Sequence, residues 1–227
     1  MKGANVDTVV RKGATLQEQV ADLLGQELRA GRFAPGQRLT EQGLAERLNV
    51  SRTPIREALK KMVEQGILEA RQRGGYVVPS PSVEEIRQTI AVRMLLEPPA
   101  VQMAAREYDQ AQWERISAAI ESESAVEQDP DQSSFANANE DFRRAVFDGI
   151  SNRVLLALIA QFANHLNHIR AATLKNVKLR GEIVQRQRQI RDAIVARDEH
   201  YAEMLWRSYL HLSEETLIAA MAEYIGA

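Results

Sequence analysis

Two sets of side chains in this sequence have types and spacings that could do chemistry. In the first, Arg52, Thr53, Arg56 and Lys60 recur at intervals that place all four on one face of a helix, at about 100° per residue. Ile55, Ala58, Leu59 and Met62 share a second face roughly 130° away from it. A helix divided in this way can dock by its apolar side and present three cations and a hydroxyl. In a DNA major groove its N-terminal residues would meet base edges, with Arg bidentate to guanine and Lys on phosphate. The plainer alternative is a solvated charged helix. In the second set, polar residues interrupt apolar stripes. Asn139 and Arg143 fall within the face defined by Phe135, Phe142, Val146 and Ile150. Gln187 falls among Ile183, Ile190 and Ile194, and Tyr209 beside Ala202, Leu205 and Leu212. A buried guanidinium is expensive unless paired, so convergence of these residues would make a polar small-molecule pocket. The alternative places Arg143 at the rim, paired with Glu140 or Glu97.

Both sets need elements to position them. Thr15 and Glu18 form a capping box that opens a helix with Leu16, Val20, Leu23, Leu24 and Leu28 inward, stopped by Gly31 and Pro35-Gly36. A short helix follows Thr40, with Leu44 and Leu48 inward, and ends near Asn49. Ser51 caps the next helix, Val50 and Ile55 are spaced as a hydrophobic staple, and Pro54 sits harmlessly in the first turn. Two short helices joined by a tight turn read as a helix-turn-helix. The stretch from Leu68 to Val78 reads as a glycine-turned hairpin, a wing whose tip carries Arg71, Arg73, Gly74 and Gly75 toward backbone or minor groove. Ser82 and Glu85 form a second capping box, after which nearly every segment has 3.6-residue periodicity. Breaks near Pro98-Pro99, Asp129-Pro130, Asp148 to Asn152 and Asn176 predict six or seven helices. The expected fold is mainly α: an N-terminal winged helix-turn-helix with a small β-hairpin wing, then an all-α antiparallel helical bundle. The expected boundaries are 1–78 for the first domain (1–14 a flexible arm), 79–82 for a linker, and 83–227 for the bundle.

Charge supports the division. The chain has 227 residues, with 29 Lys+Arg against 31 Asp+Glu and a net charge of −2. Residues 1–80 carry +4 and residues 81–227 carry −6, so the near-neutral total hides a basic head and an acidic bundle. With no Cys, there is no disulfide framework, thiolate nucleophile or Cys-based zinc site. The longest apolar run, Val154 to Ala160, is far short of the roughly 20 residues a bilayer requires. The N-terminus has no apolar signal region, which points to a cytoplasmic protein. No GxSxG, P-loop, HExxH or paired-acid constellation is present, so an enzyme is not expected. His165 and His168 are three apart on one helix, a possible ligand pair, but they lie at the edge of its core face and outside it; His200 and His211 look peripheral.

The stretch from Phe33 to Val78, and most specifically Asn49 to Leu59 (NVSRTPIREAL), closely resembles the winged-helix domain of GntR-type bacterial transcription regulators. The resemblance implies that Arg52, Thr53 and Arg56 contact DNA and that Gly74 and Gly75 form the wing tip. Some members carry an Arg early in the second helix where this chain has Gln42, which implies a weaker contact there. The stretch IRQTIAVRMLLEPPAVQMAA resembles the opening of the FCD-type effector domain of FadR-like members, and the two resemblances span about residues 15 to 220. Many such domains hold a divalent metal through an Asp-x-x-x-His pair and two later His. Here Asn139, Arg143, Gln187 and Tyr209 stand at those four positions, which implies a lost metal site and no cofactor. Arg143 would then replace the metal's positive charge and pair with an anionic effector, with Arg93 as second anchor. The resulting expectation is a ligand-responsive regulator, a repressor, binding a pseudo-palindromic DNA operator as a homodimer and controlled by a small organic acid. A bulkier acyl-CoA-type ligand is the alternative effector, and a helical scaffold without DNA binding the alternative class.

Overall fold

A computed structural model describes residues 15–29, 31–71, 74–164, 166, 170 and 173–226. The N-terminal arm expected over 1–14 lies outside them. Helix α1 (Leu16–Arg29) begins at the predicted capping box: Glu18 N–H donates to Thr15 Oγ1, and Thr15 N–H to the Glu18 carboxylate. Val20, Leu24 and Leu28 are buried, but Leu16, expected to face inward, is 42% exposed. Strand β1 (Arg38–Leu39) leads into α2 (Glu41–Leu48), capped by Thr40 and closed by Asn49 in the left-handed conformation. Helix α3 (Arg52–Glu64) buries Ile55, Ala58, Leu59 and Met62, the face read from the spacing. Strands β2 (Glu69–Ala70) and β3 (Tyr76–Val77) are antiparallel, and β1 joins β3 on its other edge. The expected hairpin is therefore a three-stranded sheet in the order β1-β3-β2. Two residues are too short to show strand periodicity, so β1 leaves no pattern in the sequence.

The bundle consists, among the described residues, of α4 (Val83–Glu107), α5 (Gln110–Ala125), α6 (Gln132–Phe147), α7 (Arg153–Asn164), α8 (Val177–Val195) and α9 (Glu199–Gly226). It has its own core around Phe135, Phe142, Ile190 and Trp206, separate from the core of residues 20–78. Helix α4 packs along α9, α5 on α6 and α8, and α7 on α4. Ser82 and Glu85 form the second capping box as expected.

The break expected at Pro98-Pro99 is absent: α4 runs through both prolines. Proline removes an i→i−4 hydrogen bond, leaving the carbonyl four residues earlier unpaired. The carbonyl freed by Pro98 is that of Met94, and Arg207 Nη1 on α9 donates to it at 3.4 Å. Packing along α9 therefore carries the helix past the gap. The break falls instead at Tyr108, where Asp109 caps α5. Tyr108 Oη donates to Val146 O at 2.7 Å and accepts from Gly149 N–H at 3.2 Å, fastening this corner to the end of α6. A second unanticipated break separates α8 from α9 at Arg197, whose φ is 57°.

Candidate nucleic-acid interface and effector pocket

At the start of α3, Ser51 occupies the cap position in extended backbone, but its hydroxyl makes no capping bond. Arg52, Thr53, Arg56 and Lys60 are all exposed on one face. They are organised by a residue that the sequence reading did not single out. The carboxylate of Glu41, in the first turn of α2, accepts Arg56 Nε at 3.0 Å and Nη2 at 2.9 Å, and lies 3.7 Å from Arg52 Nη2. The Arg56 bonds hold the Glu41 carboxyl below its ordinary pKa. Exposed ion pairs contribute about 0–1 kcal/mol, so this fork aims Arg56 more than it stabilises the fold. Lys60 meets Glu57 at 3.0 Å. Gln42 is exposed and its amide donates to Glu46 Oε1 at 2.9 Å.

The wing turn is closed by Arg71 N–H donating to Gly75 O and Gly74 N–H to Arg71 O, both at 3.1 Å. Gly74 and Gly75 have φ of 83° and 88°, a region that disfavours any side chain. A Cβ on Gly75 would also sit 3.2 Å from Leu39 O. Arg38, a second unanticipated residue, donates to Gly74 O at 3.2 Å and braces the tip. Arg73 lies outside the described residues.

In the bundle, the five residues expected to line one pocket are all buried, but they fall into two adjoining clusters. In the first, the carboxylate of Glu97 accepts Arg93 Nε at 2.7 Å, Arg143 Nη2 at 2.9 Å and Trp206 Nε1 at 2.9 Å. Burial pushes the Glu97 carboxyl up, but Arg143 and Arg93 outweigh it and hold the pKa at about 2. Arg143 is thus paired with Glu97, one of the two partners expected for it, but buried and not at the rim. It points inward, with its guanidinium 5.7 Å from the Phe147 ring centre and 5.8 Å from that of Trp206. Arg93 Nη1 is buried without a partner.

The second cluster centres on Asn139. Its amide nitrogen donates to Glu123 Oε1 at 2.9 Å and to Tyr209 Oη at 3.1 Å, while its oxygen accepts Arg170 Nη1 at 3.1 Å. Arg170 has no carboxylate within 4 Å among the described residues. Burial and then the nearby Arg143 lower its pKa to about 10, still protonated at neutral pH. Burial raises Glu123 to about 7, against the opposing bond from Asn139. Gln187 lies beside Glu123 and its amide opposes the rise, although neither amide atom nor Glu123 Oε2 has a partner in good hydrogen-bond geometry. A cavity of about 20 Å³, bounded by Asn139, Arg170, Leu174, Ile183 and Tyr209, opens beside this cluster. It has room for about one water. Glu123 and Arg170 escaped the sequence reading. An acidic residue in a helix reads as surface, and so does an Arg, so neither type betrays its burial. Of the histidines, His200 and His211 are exposed, and His165 and His168 lie outside the described residues.

A winged helix with a basic outward face, joined to an all-helical bundle with a buried polar cavity, defines a DNA-binding regulator with a ligand-sensing domain. Residues 16–78 match the family described as bacterial regulatory proteins, gntR family, and residues 88–212 match the FCD domain. The chain belongs to the GntR family of bacterial transcription regulators, in the group that carries an FCD effector domain. It is 29% identical over 189 residues to the probable D-xylose utilization operon transcriptional repressor of Paenarthrobacter nicotinovorans, covering 83% of each chain. It is 25% identical to the regulator YcbG of Bacillus subtilis, over 98% of both chains. The structure of Escherichia coli McbR/YncC superposes with a TM-score of 0.80 at 22% identity, covering 93% of this chain and 99% of that one, which shows the shared fold. No helix among the described residues is long and apolar enough to cross a membrane.

Proposed function

We propose that this chain is a homodimeric transcriptional repressor of the bacterial cytoplasm whose hold on a pseudo-palindromic operator is set by a small organic acid. Residues 1–78 would read DNA, 79–82 would link, and 83–227 would bind the effector and pair the protomers, with no enzymatic step. Two protomers related by a two-fold axis match symmetric half-sites, each inserting α3 into a major groove. Arg52 and Arg56 would face base edges with Thr53 beside them. Ser51, Gln42, Lys60 and the wing residues Arg71 and Arg73, turned by Gly74 and Gly75, would meet the backbone.

The observation that carries the effector reading is Arg170, a buried guanidinium whose side-chain partner among the described residues is a neutral amide, in a cluster already rich in arginine. A buried cation without a counter-charge is costly, and a carboxylate satisfies it in bidentate geometry. Arg143, the anchor expected from sequence, is engaged by Glu97, so its part and that of Arg93 is to make the surroundings positive. Asn139 and Tyr209 border the cavity, and Gln187 is adjacent. The four positions that correspond to the family's metal ligands do not fit a transition metal. One is a guanidinium turned to a carboxylate, two are neutral amides and one is a phenol. A cavity of about 20 Å³ favours a small acid over an acyl-CoA.

Thermal-shift titration with a panel of organic acids, with and without EDTA, tests this reading. At 100 times its Kd a ligand stabilises by about 2.7 kcal/mol, a melting shift easily read. The expected outcome is a shift indifferent to chelator and abolished in Arg170→Gln. A response that requires metal, or survives Arg170→Gln intact, refutes it.

A further inference from the structure

We infer that Arg180 is the positioning residue through which the effector cavity sets the pose of the DNA-binding head: from α8 it ties the cavity wall at Leu174 to the loop that leads into the seat of the head. This rests on the reading that the cavity beside Asn139 takes the effector, whatever the acid, and extends it to how occupancy reaches DNA. Arg180 lies near the start of α8 and is 2% exposed. Its hydrogen bonds run to main-chain carbonyls: Nε donates to Leu174 O at 2.7 Å, and Nη1 to Glu127 O at 3.0 Å and Asp129 O at 2.8 Å. It forms no ion pair among the described residues. A guanidinium spent on three carbonyls neutralises no charge. It fixes where two stretches of chain lie relative to each other, because its donors leave one rigid plane in set directions. Its central carbon lies 5.4 Å from the centre of the Phe135 ring on α6, so the fork is itself held by packing.

One end of this tie is the cavity. Leu174 bounds it together with Asn139, Arg170 and Tyr209. Leu174 N–H donates to Arg170 O at 3.2 Å, so a single turn of chain carries both the guanidinium offered to the ligand and the carbonyl that Arg180 holds. With room for about one water, the cavity admits an acid only if its wall moves. A shift of about 1 Å at Leu174 would take the 2.7 Å bond past hydrogen-bond reach unless Arg180 follows. If Arg180 follows, Glu127 O and Asp129 O lose their donor, and buried carbonyls do not stay unpaired without cost.

The other end is the head. Asp129, whose carbonyl Arg180 holds, also accepts Asp131 N–H on its carboxylate at 2.8 Å, and Asp131 caps α6 by accepting Ser133 N–H at 2.9 Å. Helix α1 of the head packs on α6. Ser133 holds the Asp131 carboxyl below its ordinary pKa, and the charges of Arg32, just beyond α1, and of Arg180 reinforce this. Asp131 is therefore within electrostatic reach of a cation from each domain, at the point where the loop shaped by Arg180 enters the surface on which α1 sits.

The test needs no ligand. The chain has no Cys, so Gln26→Cys on α1 and Ala118→Cys on α5, both exposed, take spin labels at those two sites alone. Electron–electron resonance on labelled chain diluted in unlabelled chain then counts docked and displaced heads. Leu174→Ala disturbs the cavity wall and should change that ratio about fivefold or more, the lower end of ordinary allosteric coupling. Arg180→Lys keeps the charge and loses the fork. It should displace heads by itself, and Leu174→Ala added to it should change the ratio by less than about twofold. A purely structural part for Arg180 would instead leave the two effects additive. An equal Leu174→Ala response in both backgrounds overturns the inference, as does no response in the otherwise unaltered chain. If Arg180→Lys does not fold, Asp131→Asn decides from the exposed end of the path. With the charge near Arg32 removed, the Leu174→Ala response should again fall below about twofold, and an undiminished response overturns the inference. None of these outcomes depends on an acid, so a failure of the organic-acid reading in thermal-shift titration is a separate result.

Discussion

Replacing Glu123 by Gln should stabilise this protein, and the gain should grow with pH. The carboxyl ionises at about 7 in the fold against an ordinary value of 4.5. Burial on α5 is the cause; hydrogen bonds from Asn139 and Gln187, and then the charge of Arg170, partly offset it, and Asp141 adds to it. A carboxyl with a raised pKa binds more protons folded than unfolded. Its ionisation therefore withdraws stability as pH rises from about 4.5 to 7, with no further loss above that. At about 1.4 kcal/mol per pH unit, a span of 4.5 to about 7 withdraws about 3 kcal/mol at pH 8 but only about 1 kcal/mol at pH 5. The amide of Gln cannot ionise, keeps an oxygen for Asn139, and gains an N–H to face the unpartnered Gln187 oxygen. Melting curves of the two proteins in low-salt buffers between pH 5 and 8 would read the effect. At about 2–4 °C per kcal/mol for a domain of this size, the variant should melt about 6–12 °C higher at pH 8 and only a few degrees higher at pH 5. A gap constant across that range, or a variant less stable at pH 8, would refute the assignment of Glu123 as a strained buried acid.

Glu97→Gln should act in the opposite sense. It strips a charge from two buried arginines and should cost about 3–5 kcal/mol in urea unfolding at neutral pH. Because the Glu97 pKa is depressed to about 2, its contribution is complete above about pH 4.5 and is lost as pH falls through 2, so the variant should also lose the wild-type protein's acid sensitivity in that window. At the DNA face, Arg52→Ala should cost about 1–3 kcal/mol on the preferred sequence and relax its base preference, whereas Lys60→Ala should weaken all sequences alike and flatten the salt dependence by about one charge, both read by anisotropy titration. Glu41→Gln should raise affinity for random DNA and lower discrimination, because it removes a carboxylate facing phosphate and the fork that aims Arg56; unchanged discrimination would mean that Arg56 is aimed by the DNA itself. Gly149→Ala places a Cβ 2.9 Å from the Tyr108 ring and should loosen the corner between α4 and α6, lowering the melting temperature by several degrees without altering DNA contacts.

The winged helix was legible almost residue by residue because local signals agree there: capping residues, a single apolar face on α3 and glycines where φ is positive. In the bundle, Asn139, Arg143, Gln187 and Tyr209 are buried where the apolar stripes placed them, whereas Glu123, Arg170 and Arg180 gave no such signal. Periodicity could not say which way each one turns. Arg143 and Asn139 are four residues apart on α6, yet one faces Glu97 and the other Glu123, a choice made by charges on α4 and α5. The proline pair misled for a related reason. The rule that proline ends a helix is local, and a donor from 113 positions along the chain repaired the gap.

That repaired gap gives α4 a mechanical character. Pro98 lies 15 residues from the first turn at Val83, a rigid arm of about 22 Å at 1.5 Å per residue. Its near end carries Glu97 and Arg93, the buried pair that engages Arg143 and Trp206. Its far end, at Glu85 and Gln88, borders a cleft of about 720 Å³ whose opposite wall is Val63, Leu68 and Ala70 at the root of the wing. The one rung of the backbone ladder made by a side chain sits at the pivot, so bending there stretches a single long hydrogen bond. A turn of 5° would swing the far end by about 2 Å, given an arm of that length. A small displacement at Arg93 or Glu97, close to the prolines, would therefore be magnified at the far end of the same arm, beside the root of the wing.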